Sequence, residues 1–288
     1  MAYELYKSED QQNEDSIDND NRWSAYPPPG PGKFISGHAS VNGIQLYYEI
    51  YGARDPLVLL HGGGSTIHTS CGRILSELSQ THLVIAVDLQ NHGRSGFRNI
   101  PETFEQDADD VMTFLKNLGF EKASFLGFSN GGTTALQLAI RYPMVVDKLV
   151  VIAAAFKRDG FIPGFFEGMQ QATLENMPEA LKEEFLRVTP DPASLQTMFE
   201  RDRDRMIAFM DIKEKDIKGI NAPVLIISGD ADVTTTEHAF EMKRLIKNAQ
   251  LAILPGIHGE CIGEITTLNK NHPPSYPVIT IINEFLDR

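Results

Sequence analysis

The stretch that decides the fold is a serine held between two glycines, Gly127-Phe128-Ser129-Asn130-Gly131. An apolar run typical of a strand precedes it at 123–126, and a segment with helical periodicity follows at 133–140. A serine hydroxyl is a weak nucleophile, so a catalytic serine must be exposed and paired with a base. A sharp strand-to-helix turn exposes it, and flanking glycines let neighbouring backbone approach without a Cβ clash. The alternative is an ordinary glycine-rich turn whose serine caps the helix.

Short apolar runs alternate with helical stretches on both sides of this motif. Asn42-Gly43, a strong hairpin signal, predicts two antiparallel strands at 33–41 and 44–51. Near-continuous apolar strands separated by helices then predict an α/β fold, with a mostly parallel eight-stranded sheet covered by helices on both faces. Ligands bind outside the carboxyl ends of the strands in such sheets. The six further strands are predicted at 56–60, 82–87, 122–126, 148–153, 224–228 and 250–254, and the helices at 67–80, 103–118, 130–141, 236–247 and 278–287.

The interval at 156–217 is too long for a simple connection between two strands. It holds 7 of the 16 phenylalanines and 5 of the 9 methionines, with amphipathic helical patterns around 166–187 and 193–212. We therefore predict a helical lid inserted after the sixth strand, flanked by core segments at 33–155 and 218–288. Alternatively, these apolar side chains only join the lid helices to each other. The residues nearest the lid entrance, which we predict to face the substrate, are Phe161, Phe165, Phe166 and Met169.

The composition and net charge of the chain argue against some classes of binding partner. The 288 residues carry a formal net charge of -13, which disfavours nucleic acid and anionic membrane surfaces as partners. Residues 1–20 contain seven acids and one lysine, and a proline-rich run follows at 27–32, so we predict an acidic, proline-rich arm over residues 1–32. No apolar stretch approaches the ~20 residues of a membrane span. The amino terminus lacks the pattern of a signal peptide, so we expect a cytoplasmic protein, although a trimmed export signal would leave no trace.

The two cysteines, Cys71 and Cys261, are too few for a disulfide framework, and we expect free thiols. No cluster of cysteine and histidine has metal-ligand spacing. We therefore expect neither a metal ion nor another cofactor.

A second glycine-rich segment follows the strand predicted at 56–60. Its three consecutive glycines, which begin at Gly62, leave backbone N–H groups unshielded and able to approach a ligand. The alternative is a flexible turn. Together with the serine motif, this loop predicts two donors for a developing oxyanion, the N–H of Gly63 and the N–H of Asn130. Gly62 and Phe128, which precede the loop donor and Ser129, are predicted to border the substrate.

Two more candidate residues follow separate strands near the carboxyl terminus. Asp232 comes after the strand at 224–228 and could bind an imidazole N–H. His258 lies in the loop after the strand at 250–254, among small residues that let it point into a cleft. The order Ser129, Asp232, His258, each after its own strand, is typical of one architecture of serine hydrolase. A loop histidine on its own is usually polar surface, so the joint pattern carries the prediction.

With these motifs the chain resembles the α/β-hydrolase fold superfamily over nearly all of residues 33–288. Residues 88–95, Asp-Leu-Gln-Asn-His-Gly-Arg-Ser, are similar to the turn Asp-x-x-Gly-His-Gly-x-Ser of that superfamily, with Asn91 where glycine is commoner. The spacing of Gly229 and Asp232 matches its acid loop. The resemblance implies Ser129 as the nucleophile, His258 as the general base and Asp232 as the orienting acid.

The resemblance also names competing residues. Asp230 is a second candidate for the acid, and Asp159 is a third because some relatives carry the acid after the preceding strand. His61 and His92 match structural positions in the superfamily, so neither is expected to be the base.

The expected function is therefore hydrolysis of a carboxylic ester or lactone, with a small and fairly apolar molecule as substrate and partner. Serine at the turn argues against dehalogenase and epoxide hydrolase relatives, which attack with aspartate. A C–C bond hydrolase of diketone-like substrates is the alternative, since the same three residues suffice. A non-catalytic small-molecule receptor with the same fold is a third possibility. The oligomeric state stays open.

Overall fold

The computed structural model describes residues 34–268 and 276–288. The predicted acidic arm, residues 1–32, lies outside the described residues. The strands within the described part are β1 Ile35–Val41, β2 Ile44–Gly52, β3 Pro56–Leu60, β4 Leu83–Val87, β5 Ala123–Phe128, β6 Val146–Ile152, β7 Val224–Gly229 and β8 Ala249–Leu254. The α-helices described are α1 Ile67–Thr81, α2 Phe104–Asn117, α3 Asn130–Arg141, α4 Phe165–Gln171, α5 Glu179–Val188, α6 Pro192–Ile207, α7 Glu214–Lys218, α8 Thr236–Leu245 and α9 Val278–Leu286.

All eight strands form one sheet in the order β1-β2-β4-β3-β5-β6-β7-β8. The pairs β1–β2 and β2–β4 are antiparallel, and the pairs from β4 to β8 are parallel. The predicted mostly parallel, eight-stranded sheet is confirmed. The chain passes from β3 to β4 on one side and then returns to place β5 on the other side. Open parallel sheets bind ligands at such a reversal, which here lies at the carboxyl ends of β3 and β5.

The sheet is covered on both faces because its central strands are apolar on both. Along β3, Leu57 and Leu59 belong to a buried cluster that includes residues of α1 and α9. The alternate residues Val58 and Leu60 belong to a second cluster, with residues of α2, α3 and α8. All four leucine and valine side chains are at most 2% exposed. Fully burying such a side chain is favourable by ~1.5–3 kcal/mol, so the two clusters hold the sheet between its helix layers.

Helices α4 to α7 occupy the interval between β6 and β7, where helices were predicted. The pattern predicted around 166–187 is not one helix, because α4 ends at Gln171 and α5 begins only at Glu179. Pro178 prevents one helix from running through the segment: a proline cannot donate to a helix, and it drives the residue before it into extended backbone. Met177 accordingly has φ -64 and ψ 138. We refer to residues 156–217 as the insertion.

The insertion packs against the carboxyl edge of the sheet. A Cβ atom at Gly64, in the loop after β3, would lie 3.2 Å from the Met177 Cε atom of the insertion. The Thr189 hydroxyl donates a 2.6 Å hydrogen bond to the carbonyl of Gly93, in the loop after β4. That the insertion works as a lid stays a prediction.

Among the helices of residues 34–268 and 276–288, none combines the length and apolar character needed to cross a membrane.

Candidate active site

The turn between β5 and α3 forces Ser129 into an unusual backbone conformation, with φ 53 and ψ -121. Such positive φ values are rare for residues other than glycine and cost of order 1–3 kcal/mol. The surroundings hold the turn in place through close backbone contacts. A Cβ atom at Gly127 would lie 2.2 Å from the Gly131 carbonyl oxygen, and one at Gly131 would lie 2.3 Å from the Leu60 carbonyl oxygen. The two glycines are therefore needed for the turn to close against β3.

Three side chains from separate loops meet at this turn. His258 Nε2 lies 3.0 Å from Ser129 Oγ, and His258 Nδ1 lies 2.7 Å from Asp232 Oδ1. A carboxylate only accepts hydrogen bonds, so Nδ1 carries the imidazole proton and Nε2 is left to accept from the serine hydroxyl. The structure thus brings together the three residues that the sequence predicted as nucleophile, acid and base.

The Asp232 carboxyl is buried yet favoured in its charged form. Burial works to raise its pKa, but the hydrogen bond from His258 and the backbone N–H of Thr234, 3.1 Å from Oδ1, hold the pKa below its ordinary value. The two competing acids have other surroundings. Asp230 Oδ1 accepts a 2.9 Å hydrogen bond from the Gly256 N–H and shapes the loop before His258. Asp159 is exposed, in a short 3₁₀ turn at the start of the insertion.

The glycine-rich loop after β3 presents one open donor. The Gly62 N–H donates to Ser70 Oγ at 3.1 Å, and the Gly64 N–H donates to His92 Nε2 at 3.2 Å. Over residues 34–268 and 276–288, the intervening Gly63 N–H has no hydrogen-bond partner. The second predicted donor, Asn130, is the first residue of α3, where N–H groups lack a helical acceptor. The helix dipole also favours negative charge at this end.

Two buried histidines support this loop from beneath. His61 Nδ1 lies 2.7 Å from the Gly62 carbonyl and its Nε2 accepts a 2.9 Å hydrogen bond from the Leu89 N–H. His61 and His92 each accept a hydrogen bond from a backbone N–H at Nε2. A protonated Nε2 could not accept, so both imidazoles are neutral. Burial, reinforced by the neighbouring His92, lowers the pKa of His61 to about 3. Both residues therefore occupy structural positions, as the resemblance implied.

The residues predicted to contact substrate fall into two groups. Gly62 lies against the serine turn, since a Cβ atom there would be 3.0 Å from the Phe128 ring and 3.3 Å from Ser129 Cβ. Phe128 is only 2% exposed, and its ring centroid lies 4.8 Å from that of His258. Its position supports the imidazole. That either residue touches a substrate stays a prediction.

The second group gathers in an aromatic cluster at the start of the insertion. Phe161 stacks on Phe165 with a centroid distance of 4.3 Å, and Phe166 meets both rings edge-on. The backbone of Phe161 forms a β-bridge to Thr234, two residues after Asp232, so this cluster lies beside the acid loop. Its members are Phe104, Phe161, Phe165, Phe166, Met169, Met206 and Phe209. Contact between these side chains and a substrate stays a prediction.

Sequence reasoning missed a charged residue behind the serine turn. Asp202, on α6, accepts a 3.1 Å hydrogen bond from the Asn130 side-chain amide and forms a buried ion pair with Arg205. Arg205 also pairs with Asp107 of α2 at 2.7 Å. In the sequence this stretch is an alternation of acids and arginines at 202–205, the pattern of a solvated helix face. No signal in the sequence singles out Asp202.

The comparisons with known proteins agree with this fold. A family model described as the alpha/beta hydrolase fold matches residues 55–197, which include the glycine-rich loop and the serine turn. The human serine hydrolase BPHL is 40% identical over 125 residues, covering 41% of this chain and 43% of that protein. The chain therefore matches less than half the length of this relative.

Two further proteins are similar over more of the chain. The AB hydrolase superfamily protein YisY of Bacillus subtilis is 27% identical over 239 residues, covering 72% of this chain and 86% of that protein. The structure of a 2-hydroxy-6-oxo-6-phenylhexa-2,4-dienoate hydrolase from Rhodococcus superposes with a TM-score of 0.73 at 19% identity. It covers 90% of this chain and all of that one, a similarity that shows the fold. By sheet topology, family-model match and structural similarity, the chain belongs to the α/β-hydrolase fold superfamily.

Proposed function

We propose that this protein is a serine hydrolase that cleaves a carboxylic ester or lactone through an acyl-enzyme. The observation that carries the proposal is the hydrogen-bonded chain from Ser129 Oγ to His258 Nε2, at 3.0 Å, and from His258 Nδ1 to Asp232 Oδ1, at 2.7 Å. A nucleophile, a base and an orienting acid within hydrogen-bond reach are what acyl transfer requires. Human BPHL, described as a serine hydrolase, supports the same class.

In the first step Ser129 Oγ forms a bond to the carbonyl carbon of the substrate. His258 Nε2 takes the hydroxyl proton, and the π electrons of the carbonyl move to its oxygen. The N–H groups of Gly63 and Asn130 donate to that oxyanion. The intermediate collapses as the C–O bond to the leaving group breaks, and His258 gives its proton to the departing alkoxide.

In the second step water attacks the acyl-enzyme. His258 Nε2 takes a proton from the water, and the oxygen of the water forms a bond to the acyl carbon. The oxyanion hole again holds the charge until the bond to Ser129 Oγ breaks and the proton returns to the serine. Asp232 holds the imidazole in one orientation and stabilises its protonated form throughout, without itself taking a proton.

A small and fairly apolar substrate suits the surroundings of these residues. The aromatic cluster described above lies beside the acid loop, and its centroid distances of 4.3–5.2 Å within the Phe161, Phe165 and Phe166 group are those of packed rings. If these rings line the substrate site, they offer apolar surface to an acyl chain or a lactone ring. The intramolecular ester of a lactone passes through the same two steps, except that the leaving alkoxide stays attached to the acyl group.

A C–C bond hydrolase is the second candidate. The observation that favours it is the fold similarity to the Rhodococcus hydrolase, whose name gives a 2-hydroxy-6-oxo dienoate, a diketone-like compound, as its substrate. The same serine, histidine and aspartate would serve, with a carbanion equivalent as the leaving group in place of an alkoxide. The two candidates differ in substrate and not in the residues they use.

The decisive test combines labelling with turnover. We expect a fluorophosphonate probe to label the protein, and p-nitrophenyl butyrate to be hydrolysed, with both activities lost in Ser129→Ala by at least about 10⁴-fold. Ser124→Ala changes a half-buried serine on β5, the strand that leads to Ser129. It is the matched control and should react like the parent. Parallel assays of aryl esters, lactones and a vinylogous diketone then separate ester hydrolysis from C–C cleavage.

Three results would contradict the proposal. Turnover by Ser129→Ala near the parent level would remove the nucleophile assignment. A parent protein that neither reacts with the probe nor turns over any of the three substrate classes would favour a non-catalytic receptor. A parent that cleaves only the diketone would replace the ester hydrolase with the C–C hydrolase.

A further inference from the structure

The oxyanion hole is bordered by a residue of the insertion as well as by residues of the core. Asp202, on α6, approaches both of the residues that we assign as donors. Its Oδ1 accepts the 3.1 Å hydrogen bond from the Asn130 side-chain amide. A Cβ atom at Gly63 would lie 2.4 Å from Asp202 Oδ2 and 2.5 Å from Asn130 Nδ2. One carboxylate therefore packs against the Gly63 backbone and bonds to Asn130 at the same time.

The carboxylate is itself held rigidly. Oδ1 pairs with the Arg205 guanidinium one helical turn further along α6, and Arg205 Nη1 lies 2.7 Å from Asp107 Oδ2 of α2. The side chains of Arg205 and Asp107 are at most 2% exposed. Burial works to raise the pKa of Asp202, but the Arg205 charge holds it below its ordinary value, so the group is a carboxylate. Helix α6 is thereby locked to the core behind the oxyanion hole.

The other hydrogen bonds that hold the loop act on the two neighbours of Gly63. Ser70 and His92 bind the N–H groups of Gly62 and Gly64, which flank Gly63 in the chain. These bonds fix the ends of the loop. Gly62 and Gly131 also make close contacts between the loop and the serine turn. Gly63 itself packs against the Asp202 carboxylate and the Asn130 side-chain amide, so these two groups bear directly on its position relative to Asn130.

We propose that Asp202 is a positioning residue that sets the spacing of the two oxyanion donors, Gly63 and Asn130, from the insertion. The inference rests on the proposed function, because it assigns a role within the same site. It follows that the donors keep their spacing only while α6 is docked, so the insertion and the oxyanion hole form one unit. A displacement of about 1 Å in such a site can cost ~10²-fold in rate, and the loss of a whole donor ~10²–10³-fold.

The test compares substitutions at Asp202 and Asn130. We expect Asp202→Ala to lower kcat for p-nitrophenyl butyrate by about 10- to 100-fold, with KM within about threefold of the parent. Binding of a trifluoromethyl ketone, whose adduct oxygen would occupy the oxyanion hole, should weaken by the same factor. Asp202→Asn keeps the shape and an acceptor for the Asn130 amide, and should recover most of the lost kcat. Asp204→Asn, the same change at an exposed site of α6, is the control and should match the parent.

Asn130→Ala probes the same bond from its other side. This substitution keeps the backbone N–H of residue 130, and it leaves the pair of Asp202 with Arg205 in place. We expect a similar loss of kcat, and no further loss in the double variant with Asp202→Ala, because both remove one interaction. If Asp202→Ala does not fold, the kcat of Asn130→Ala decides the question.

The outcomes separate this inference from the proposed function. Parent kcat and parent ketone affinity in Asp202→Ala, or independent and multiplying losses in the double variant, overturn the positioning role and leave the hydrolase proposal intact. A rise in KM with unchanged kcat would likewise overturn it, since that describes uniform substrate binding. A parent protein without any acyl-transfer activity would reject both.

Discussion

Glu102 offers the sharpest test of the electrostatics behind the proposed site. It precedes α2 and is only 6% exposed, and over the described residues both of its carboxyl oxygens are buried without a hydrogen-bond partner. Burial raises the pKa of Glu102 from 4.5 to about 8, and the charge of Arg205, which works to lower it, is opposed by the acids Asp107 and Asp202. The folded protein therefore holds a proton on Glu102 at neutral pH that the unfolded chain has released.

The sign and size of the effect follow from this difference. A group whose pKa is higher in the folded state gives its full stability below the unfolded pKa, and that stability is lost as the pH rises through the folded pKa. The interval from 4.5 to about 8 is about 3.5 pH units. At about 1.36 kcal/mol per unit, Glu102 should lower the free energy of unfolding by several kcal/mol, at most about 5, between pH 4.5 and pH 8.

Glu102→Gln removes the titration while keeping the volume of the side chain. We measure the free energy of unfolding by urea denaturation with far-UV circular dichroism. The value for the variant minus the value for the parent should rise by several kcal/mol between pH 5 and pH 8.5. Glu121→Gln, at an exposed position, is the matched control and should follow the parent at every pH. An unchanged difference between Glu102→Gln and the parent across this range would refute the reasoning.

Two further predictions concern the serine turn and the start of the insertion. Gly131→Ala should destabilise the protein by about 3 kcal/mol or more in urea denaturation, since its Cβ would lie 2.3 and 2.4 Å from the carbonyl oxygens of Leu60 and His61; a loss below about 1 kcal/mol would show that the turn adjusts. His238 accepts the Phe156 N–H at 3.1 Å through Nε2, and burial lowers its pKa to about 4. The stability that His238 contributes is present above pH 6.5 and lost as the pH falls through about 4. Between pH 6.5 and pH 4 the free energy of unfolding should therefore fall by about 3 kcal/mol less in His238→Gln than in the parent. An equal fall in both proteins would contradict this.

Local patterns in the chain predicted most of the core. Alternating and continuous apolar runs report which residues must leave water, and this preference acts over a few neighbouring residues. The strand at Pro56–Leu60 was predicted with the bounds that the structure has, and Asn42-Gly43 marked the hairpin between β1 and β2. The helix predicted at 130–141 likewise matches α3. The insertion was predicted less well, because amphipathic spacing continued across the break that Pro178 imposes.

The sequence by itself determined the kinds of residue available for the site: a serine on a glycine-flanked turn, and an acid and a histidine that each follow a strand. Parallel strands bring their carboxyl ends to one edge, so even the shared location of Ser129, Asp232 and His258 could be inferred. Only the tertiary structure decided their contacts and gave Asp202 its place. From the neighbouring sequence alone, a buried aspartate at position 202 cannot be distinguished from a solvated one. Its burial depends on the docking of α6 against Asn130 and Gly63, more than 70 residues away, and no local pattern encodes a contact of that range.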